Sequence, residues 1–317
     1  MATRAAASRD AGAPAEVVVV DGRRIEVPRP EKLLFPRDGI TKADLVAYYL
    51  RVAHVMVPHL RGRPLMLQRY PDGIERKGFY QKDASDHFPD WVRRVEVPKA
   101  GGTVHHVVCD DAATLVYLAS QACITPHAWT SRVDRLDRPD RMTFDLDPPG
   151  ERFDMVRRAA RELRELLEGL GLAPFLMTTG SRGAHVVVPL RREDDFDAVR
   201  DFAHTLADLL ARVDPGRLTI EQRKAKRGER LFIDVMRNGY AQTAVPPYAV
   251  RPLRGAPVAT PLDWRELGNG QGPQRHNITS ILRRLARKRD PWAEIDREAR
   301  SLDEPRRRLE ALRAGRG

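Results

Sequence analysis

Short stretches in which apolar and polar residues alternate predict β-strands along much of the chain. The first two stretches flank Asp21-Gly22, a dipeptide typical of tight turns, and therefore predict a β-hairpin. Another pair is joined by Pro71-Asp72-Gly73, which is also a strong turn signal. The predicted strands cover residues 17–20, 24–27, 65–69, 79–82, 92–97, 103–109, 142–147, 175–177, 185–189 and 231–236.

Apolar residues that recur every three or four positions predict amphipathic helices between these strands. Thr41 can cap the first helix, over 41–54, with Asp44 in its first turn, and Gly171 ends the long helix over 153–170. Further helices are predicted over 110–122, 196–213, 278–288 and 305–314. The sequence contains no internal repeat. We therefore expect one mixed α/β domain over 16–270, a disordered tail over 1–15 and a basic helical segment over 271–317.

Composition limits the class of protein. The 317 residues are 42% hydrophobic, enough for a full core, and no apolar run approaches the roughly 18 residues that span a bilayer. The N-terminus lacks the apolar region of a secretory signal. Cys109 and Cys123 are the only cysteines and form no close pair for zinc, so we expect them to be buried small apolar residues. These features predict a cytoplasmic protein, associated with the nucleoid if it binds DNA.

The net charge of +11 points to a polyanionic partner, with nucleic acid the first choice. Residues 273–317 carry 13 Lys and Arg against 7 Asp and Glu, more than half of this excess. A GC-rich genome that favours arginine would explain part of the charge by composition alone. Charge therefore supports nucleic-acid binding without establishing it.

The strand over 142–147 carries two carboxylates at its end. Asp145 and Asp147 are two positions apart, so they share one face with Cα atoms about 6.6 Å apart. Pro148-Pro149-Gly150 stops the strand immediately afterwards. Two carboxylates at this spacing repel each other unless a cation binds them, and oxygen ligands suit Mg²⁺ or Mn²⁺. The alternative is an ordinary strand end in which Asp147 caps the following helix.

Asp234 repeats this arrangement as the single charge on the apolar strand over 231–236. If that strand neighbours the first one, three carboxylates converge and can hold two divalent ions about 3.5–4 Å apart. This geometry suits in-line phosphoryl or nucleotidyl transfer. The alternative is an aspartate paired with Arg237 or Arg230.

The polar turn over 178–183 is a candidate phosphate site. Its two glycines let backbone N–H groups approach an anion, and Arg182 adds a fixed positive charge. Thr179, Ser181 and His185 add hydrogen-bond donors. The stretch does not match the P-loop pattern, which needs Gly-Lys followed by Ser or Thr. The alternative is a hairpin turn with an incidental arginine.

A cluster of cations over 221–230, with Arg237 and Arg251 downstream, suits a triphosphate or a nucleic-acid backbone. The alternative is a solvated loop, which is the usual environment of a charge run.

Four motifs together resemble LigD-type polymerase domains. They are Asp145-Leu-Asp-Pro, Thr179-Gly-Ser-Arg-Gly-Ala-His185, Phe232-Ile-Asp234 followed by Arg237-Asn238, and the stretch 248–261. Such domains belong to the archaeo-eukaryotic primase superfamily and act in bacterial non-homologous end joining. The resemblance runs from about residue 32 to residue 264. It implies a primase-polymerase-like fold, a central mixed sheet flanked by helices, two Mn²⁺ or Mg²⁺ ions, and nucleotide addition to a DNA 3′-hydroxyl.

The resemblance also implies roles for individual residues. The expected metal ligands and catalytic residues are Asp145, Asp147 and Asp234. Residues at the triphosphate-binding positions are Thr179, Arg182, His185, Arg227 and Arg251, and Ser181 lies in the same turn. Residues at the DNA-binding positions are Lys32 and Lys42 for a 5′-phosphate, and Phe79 and Tyr80 for stacking on template bases. His127 and Trp129 match a His-x-Trp segment that precedes the catalytic strand.

Two departures from the resemblance are informative. Many relatives have serine where Thr179 stands and a basic residue where Gln68 stands, so we expect weaker 5′-phosphate binding. The chain contains no ligase or nuclease domain, so we expect either a stand-alone relative or an excised domain, with a ligase and a Ku-like end binder as candidate partners.

The predicted function is a template-directed DNA/RNA polymerase that uses NTPs or dNTPs to fill short gaps and extend ends. The alternatives are a primase that starts strands de novo, a non-catalytic DNA-end-binding module and a two-metal nuclease.

Overall fold

The computed structural model describes residues 15–99, 101–268 and 272–314. Apart from Ala15, the predicted disordered tail lies outside the described residues. The α-helices are α1 Lys42–Leu60, α2 Ala112–Ser120, α3 Phe153–Gly169, α4 Phe196–Val213, α5 Ser280–Leu285 and α6 Asp303–Ala314. The strands are β1 Glu16–Val20, β2 Arg23–Val27, β3 Leu33–Phe35, β4 Ile40–Thr41, β5 Leu65–Arg69, β6 Phe79–Gln81, β7 Arg94–Lys99, β8 Gly102–Val107, β9 Cys123–Trp129, β10 Ser131–Arg132, β11 Arg135–Pro139, β12 Arg141–Asp147, β13 Phe175–Thr178, β14 Ala184–Pro189, β15 Leu218–Thr219, β16 Leu231–Asp234, β17 Thr243–Ala244 and β18 Thr260–Leu262.

A six-stranded sheet in the order β15-β16-β12-β14-β13-β18 forms the centre of the fold. Only β15 and β16 run parallel, so the sheet is mixed, as predicted. Helices α3 and α4 cover one face, because the even-numbered residues of β12 (Met142, Phe144 and Leu146) pack in one buried cluster with both helices. Each such side chain contributes about 1.5–3 kcal/mol through burial. The odd-numbered residues of β12, including Asp145, face away from these helices.

A second sheet, in the order β17-β9-β5-β6, packs with α1 and α2 in a separate core. Helix α1 starts at the predicted capping box, in which Thr41 and Asp44 bond each other's backbone N–H groups. Its Tyr49 hydroxyl donates to the carbonyl oxygen of Ile124 in β9 over 2.5 Å. This bond fixes the helix on the sheet.

The C-terminal segment over 272–314 packs on both cores. The Trp292 indole is buried, and its N–H donates to the carbonyl oxygen of Leu176 in β13 over 3.0 Å. Leu302 and Leu309 join the core beneath the six-stranded sheet. Helix α5 is shorter than the predicted 278–288, whereas α6 begins two residues before the predicted start.

The main departure from the predicted elements is β9, a strand that no alternation of apolar and polar residues predicted. Pro126 interrupts the stretch, and proline cannot donate to a strand ladder. It is tolerated because β17 pairs only with Ala128 and Trp129, so Pro126 has a strand neighbour on one side only. The strand predicted over 231–236 is also shorter, because residues Met236–Asn238 form a 3-10 helix.

Cys109 and Cys123 are buried free thiols, in agreement with the prediction. Among the described helices, none combines the length and the apolar character needed to cross a membrane.

Candidate active site

The strand register brings the predicted carboxylates to one face of the six-stranded sheet. Asp145 lies directly opposite Asp234 on one side and opposite His185 on the other. Residues directly opposite in an antiparallel pair have Cβ atoms about 4.5–5.5 Å apart. Asp147 follows two positions along the same strand and shares this face. The sequence predicted that the three carboxylates converge if their two strands are neighbours, and the backbone shows that these strands are neighbours.

Asn238 sets this register, and sequence reasoning assigned it no role. Its side-chain oxygen accepts from the Thr143 backbone N–H over 2.7 Å, and its amide nitrogen donates to the Thr143 carbonyl oxygen over 2.8 Å. The buried amide thus extends the pairing between β12 and β16 beyond Asp234, where β16 has already ended. The only sequence signal was its place after Arg237 in the third motif.

The turn between β13 and β14 needs both of its glycines. Gly180 has φ +67°, a conformation that disfavours other side chains. A Cβ atom on Gly183 would lie 2.1 Å from the carbonyl oxygen of Leu146. Thr179 closes the turn by donating its hydroxyl to the Gly183 carbonyl oxygen over 3.1 Å, and it accepts from the Ser181 N–H over 3.3 Å. The turn therefore lies tightly against the end of the strand that carries Asp147.

Asp145, Asp147 and this turn meet in one open cleft with an empty volume of about 540 Å³, whereas Asp234 lies opposite Asp145 and is not among the residues that line the cleft. Its lining residues are His127, Asp145, Asp147, Thr179, Ser181, Arg182, His185, Arg237, Thr243, Val245 and Arg251. Arg251 is anchored by a 3.2 Å hydrogen bond from its guanidinium to the Thr179 carbonyl oxygen. The cleft thus combines carboxylates with three arginines, a pairing of charges that suits a metal-bound anion.

Burial and neighbouring charges shift the pKa values of the three carboxylates in different directions. Burial acts to raise the pKa of Asp145, but His185 and then Arg237 more than offset it, so that this pKa is lowered. Burial and the charge of Asp145 raise the pKa of Asp147, and the same two causes raise the pKa of Asp234. Asp147 and Asp234 are therefore the carboxylates whose negative charge is least stabilised by the protein alone.

Neither alternative for the aspartates is observed. Helix α3 has Arg152 at its N-cap position without any side-chain cap, so Asp147 does not cap it. Arg237 lies 3.5 Å from Asp145 rather than pairing with Asp234, and Arg230 donates to backbone carbonyl oxygens. Arg237 lines the cleft together with Arg251, the other arginine that the sequence placed downstream of the cation cluster.

Arg227 is the one predicted nucleotide-binding residue that does not line the cleft. Its guanidinium lies 3.6 Å from the centre of the Phe232 ring and donates to the carbonyl oxygens of Glu221 and Gln222. Arg227 therefore stabilises the loop before β16. Its charge still reaches Asp234, where it acts to lower the pKa.

The two lysines predicted to bind DNA lie before and at the start of α1. The Lys32 ammonium pairs with Asp72 at 2.6 Å, and the buried Lys42 ammonium donates to the Pro28 carbonyl oxygen over 2.5 Å. Burial, followed by the charges of Arg29 and Lys32, lowers the pKa of Lys42 to about 8. Sequence reasoning did not identify Arg29 as part of this basic group.

Phe79 and Tyr80 lie on β6, the edge strand of the second sheet, with 46% and 58% of their surface exposed. Such exposure leaves both rings available for stacking. His127 connects this sheet to the cleft: its Nε2 lies 3.1 Å from the Gln68 side-chain oxygen, and its ring centre is 6.0 Å from that of Tyr80. Burial, with the charge of Arg251 next, lowers the pKa of His127 to about 3, so the ring is neutral at pH 7.

The donor chemistry of this face fits a divalent cation, since the three residues offer only carboxylate oxygens. As the side chains stand, no group of three or more His, Cys, Asp or Glu in the described ranges is close enough to hold a metal ion. Asp234 instead accepts from the Met236 N–H over 2.8 Å. The register of the strands and the repulsion between the carboxylates therefore support a cation site here. The present positions of the side chains do not by themselves form a complete coordination shell.

A mixed sheet that presents three carboxylates beside an arginine-lined cleft is an arrangement that suits a nucleotidyltransferase. Comparison with known proteins agrees. A model of the LigD primase-polymerase domain family matches residues 41–292, and the chain belongs to this family. The multifunctional non-homologous end joining proteins LigD of Mycolicibacterium smegmatis and Pseudomonas aeruginosa are 32% and 33% identical to it, over 88% and 90% of this chain.

The polymerase domain of Mycobacterium tuberculosis ligase D, solved in complex with DNA, has a similar structure. The TM-score is 0.81 at 30% sequence identity, and the match covers 87% of this chain and 99% of that domain. The chain spans 37% and 34% of the two LigD relatives above, so it corresponds to one part of those longer proteins.

Proposed function

We propose that the chain is a template-directed DNA/RNA polymerase that fills short gaps and extends ends during the repair of broken DNA. The observation that carries the proposal is the register of β12 and β16, which sets Asp145 opposite Asp234 beside the arginine-lined cleft. A ligase and a Ku-like end binder as partners are part of the same proposal, because the longer relatives are named as non-homologous end joining proteins.

In this proposal Asp145, Asp147 and Asp234 hold two Mg²⁺ or Mn²⁺ ions. When bound, such ions lower the pKa of an attacking hydroxyl and neutralise charge on the transferred phosphate. The protein's own contribution is positional. Arg182 and Arg251 bind the triphosphate oxygens, and the backbone N–H groups of the 178–183 turn approach them closely. His185, whose Nε2 lies 3.5 Å from the Asp145 carboxylate, orients that ligand.

DNA reaches the cleft across the second sheet. Lys32 and Lys42 bind the 5′-phosphate downstream of a gap, and Phe79 and Tyr80 stack on template bases. The exposure of Phe79 and Tyr80 supports this path, as does the contact from Tyr80 to His127 at the cleft wall.

The deciding experiment is extension of a 5′-phosphorylated gapped duplex with Mg²⁺ or Mn²⁺, comparing ribonucleotides with deoxyribonucleotides. Incorporation that depends on metal and follows the template base supports the proposal. An unprimed single strand serves as the parallel substrate, and products on that strand alone would indicate a primase instead. Specific binding without incorporation, or release of mononucleotides, would overturn the proposal.

Stacking by the two exposed aromatic residues is testable through affinity. Replacing Phe79 and Tyr80 together by alanine should weaken binding of a duplex with a template overhang by about 10-fold or more, since each stacked base contributes about 1–3 kcal/mol. Fluorescence anisotropy measures the change. Binding of a blunt duplex should fall much less, and Tyr80→Phe, which keeps the ring, should bind like wild type. Equal losses on both DNAs would contradict the stacking role.

The lowered pKa of Lys42 predicts that the contribution of the 5′-phosphate to DNA affinity depends on pH. At pH 7 the ammonium is charged, whereas above its pKa of about 8 it loses the proton, and the phosphate remains a dianion above about pH 6. The affinity ratio of gapped duplexes with and without the 5′-phosphate should therefore fall about 10-fold between pH 7 and pH 9, the effect of one charge-assisted hydrogen bond.

Lys42→Arg is the matched control, because a guanidinium stays charged throughout this range. Its affinity ratio should be flat with pH. A ratio that falls equally in Lys42→Arg would place the titrating group elsewhere.

A further inference from the structure

A second basic pocket lies at the opposite end of β12 from the carboxylates. It is an open hollow lined by the β10–β11 hairpin, the start of β12, the chain after β14 and residues 296–299, with an empty volume of about 770 Å³. Arg141, which lines it, precedes Asp145 by four positions on the same face of β12, so the two Cα atoms are about 13 Å apart. None of its lining residues lines the candidate active site.

Two of the three acidic residues of this pocket, Asp140 and Asp296, are already paired with arginines, whereas the exposed Glu193 carboxylate forms no ion pair with the described residues. The pocket is lined by Arg132, Arg135, Arg141, Arg191 and Arg192, and by the acidic residues Asp140, Glu193 and Asp296. Asp140 pairs with the buried Arg63 and with Arg132, each at 2.7 Å. Asp296 pairs with Arg132 and Arg141.

Three arginines remain with unused hydrogen-bonding capacity. Arg192 donates through Nη1 to Asp134 at 2.7 Å, while its Nε and Nη2 atoms are buried with no hydrogen-bond partner among the described residues. These two atoms form the side edge of the guanidinium, which binds an oxyanion through two parallel hydrogen bonds. Arg135 and Arg191 are exposed, and their side chains make no hydrogen bond or ion pair with the described part of the chain.

We propose that this pocket is a phosphate-binding site, in which the Arg192 side chain turns its buried Nε–Nη2 edge towards the pocket to take two phosphate oxygens, and Arg135 and Arg191 bind the remaining ones. A phosphate fits better than a carboxylate, because three guanidinium groups need more than two acceptor oxygens. Buried cationic N–H groups without a partner are costly, and an oxyanion removes that cost. The phosphate belongs either to a nucleic-acid backbone or to a free ion such as pyrophosphate. The site does not depend on the proposed polymerase activity.

Arginine footprinting with phenylglyoxal, read by peptide mass spectrometry, tests the site directly. The full chain is modified alone, with pyrophosphate, and with a gapped duplex. Arg135 and Arg191 should be modified at least fivefold more slowly with the ligand that occupies the pocket. Arg212, an exposed arginine on α4 paired with Asp208, is the matched control and should react equally in all arms.

The arms separate the two sources of phosphate. Protection by pyrophosphate supports a free anion, protection by the duplex alone supports the nucleic-acid backbone, and protection by neither overturns the proposal. Arg192→Gln, which lacks the two-donor edge, and Arg192→Lys, which keeps only the charge, should both lose most of the protection. Slow modification of the buried Arg63 in these variants verifies that they are folded. Full protection in both folded variants would also overturn the proposal.

Discussion

Asp234→Asn should lower nucleotide incorporation by about 10³-fold while leaving DNA binding nearly unchanged. A metal-binding carboxylate contributes several kcal/mol of charge stabilisation in the transition state, and about 4 kcal/mol corresponds to about 10³ in rate. Asp234 touches the reaction only through the proposed ions, so affinity for a gapped duplex should persist. Single-turnover incorporation and anisotropy on the same DNA measure the two effects.

The same variant should be no less stable than wild type. Burial and the charge of Asp145 raise the pKa of Asp234 in the folded protein, so its ionised form opposes folding at neutral pH. Asparagine removes this charge and can still accept from the Met236 N–H. Because the folded pKa is raised, wild type should lose stability relative to the variant as pH rises from the unfolded pKa of the carboxyl to its folded pKa, and the difference should stay constant above that.

Asp197→Asn on α4, which removes an exposed carboxylate, is the control for net charge. It should retain wild-type incorporation. Full incorporation by Asp234→Asn, or loss of its DNA binding at unchanged stability, would contradict a catalytic role for this carboxylate.

The sequence predicted the two strands that carry the three carboxylates but not that these strands are neighbours in the sheet. Period-two alternation puts Asp145 and Asp147 on one face of a strand, because that relation is local. The pairing with Asp234 joins strands about 90 residues apart, and a slip of one residue would turn Asp234 towards the helix-covered face. Only the resemblance to known polymerase domains supported the long-range pairing before the structure did.

Other features depend on tertiary contacts that residue type does not reveal. Both Arg227 and Arg251 are arginines in a basic part of the sequence, which does not show that Arg251 faces the cleft whereas Arg227 stabilises its own loop. The lining of the second basic pocket comes from three separated stretches of chain, two of which supply its arginines, and the unpaired edge of Arg192 is visible only in the folded structure. In the same way, nothing local marks Asn238 as more than a polar residue after a strand.

Asn238→Ala should reduce both stability and catalysis although Asn238 is not a proposed ligand. Alanine leaves the buried N–H and C=O of Thr143 without partners, each at about 1–3 kcal/mol, so the free energy of unfolding should fall by about 4 kcal/mol in total. With this end of the strand pair released, Asp234 loses its fixed position opposite Asp145. A displacement of about 1 Å can cost about 10²-fold in rate.

The titratable variant Asn238→Asp separates this positioning role from simple unfolding. Its protonated carboxyl accepts from the Thr143 N–H and donates to the Thr143 carbonyl oxygen, whereas its ionised form sets a buried charge against that oxygen and should destabilise the fold at least as much as alanine does. The stability of Asn238→Asp should therefore rise towards that of wild type as the pH falls through the carboxyl pKa, while that of Asn238→Ala should not. Denaturant titration gives the stability, and incorporation is measured at a temperature where all three proteins are folded. If folded Asn238→Ala incorporated nucleotides at the wild-type rate, the register of β12 and β16 would not be what aligns the carboxylates.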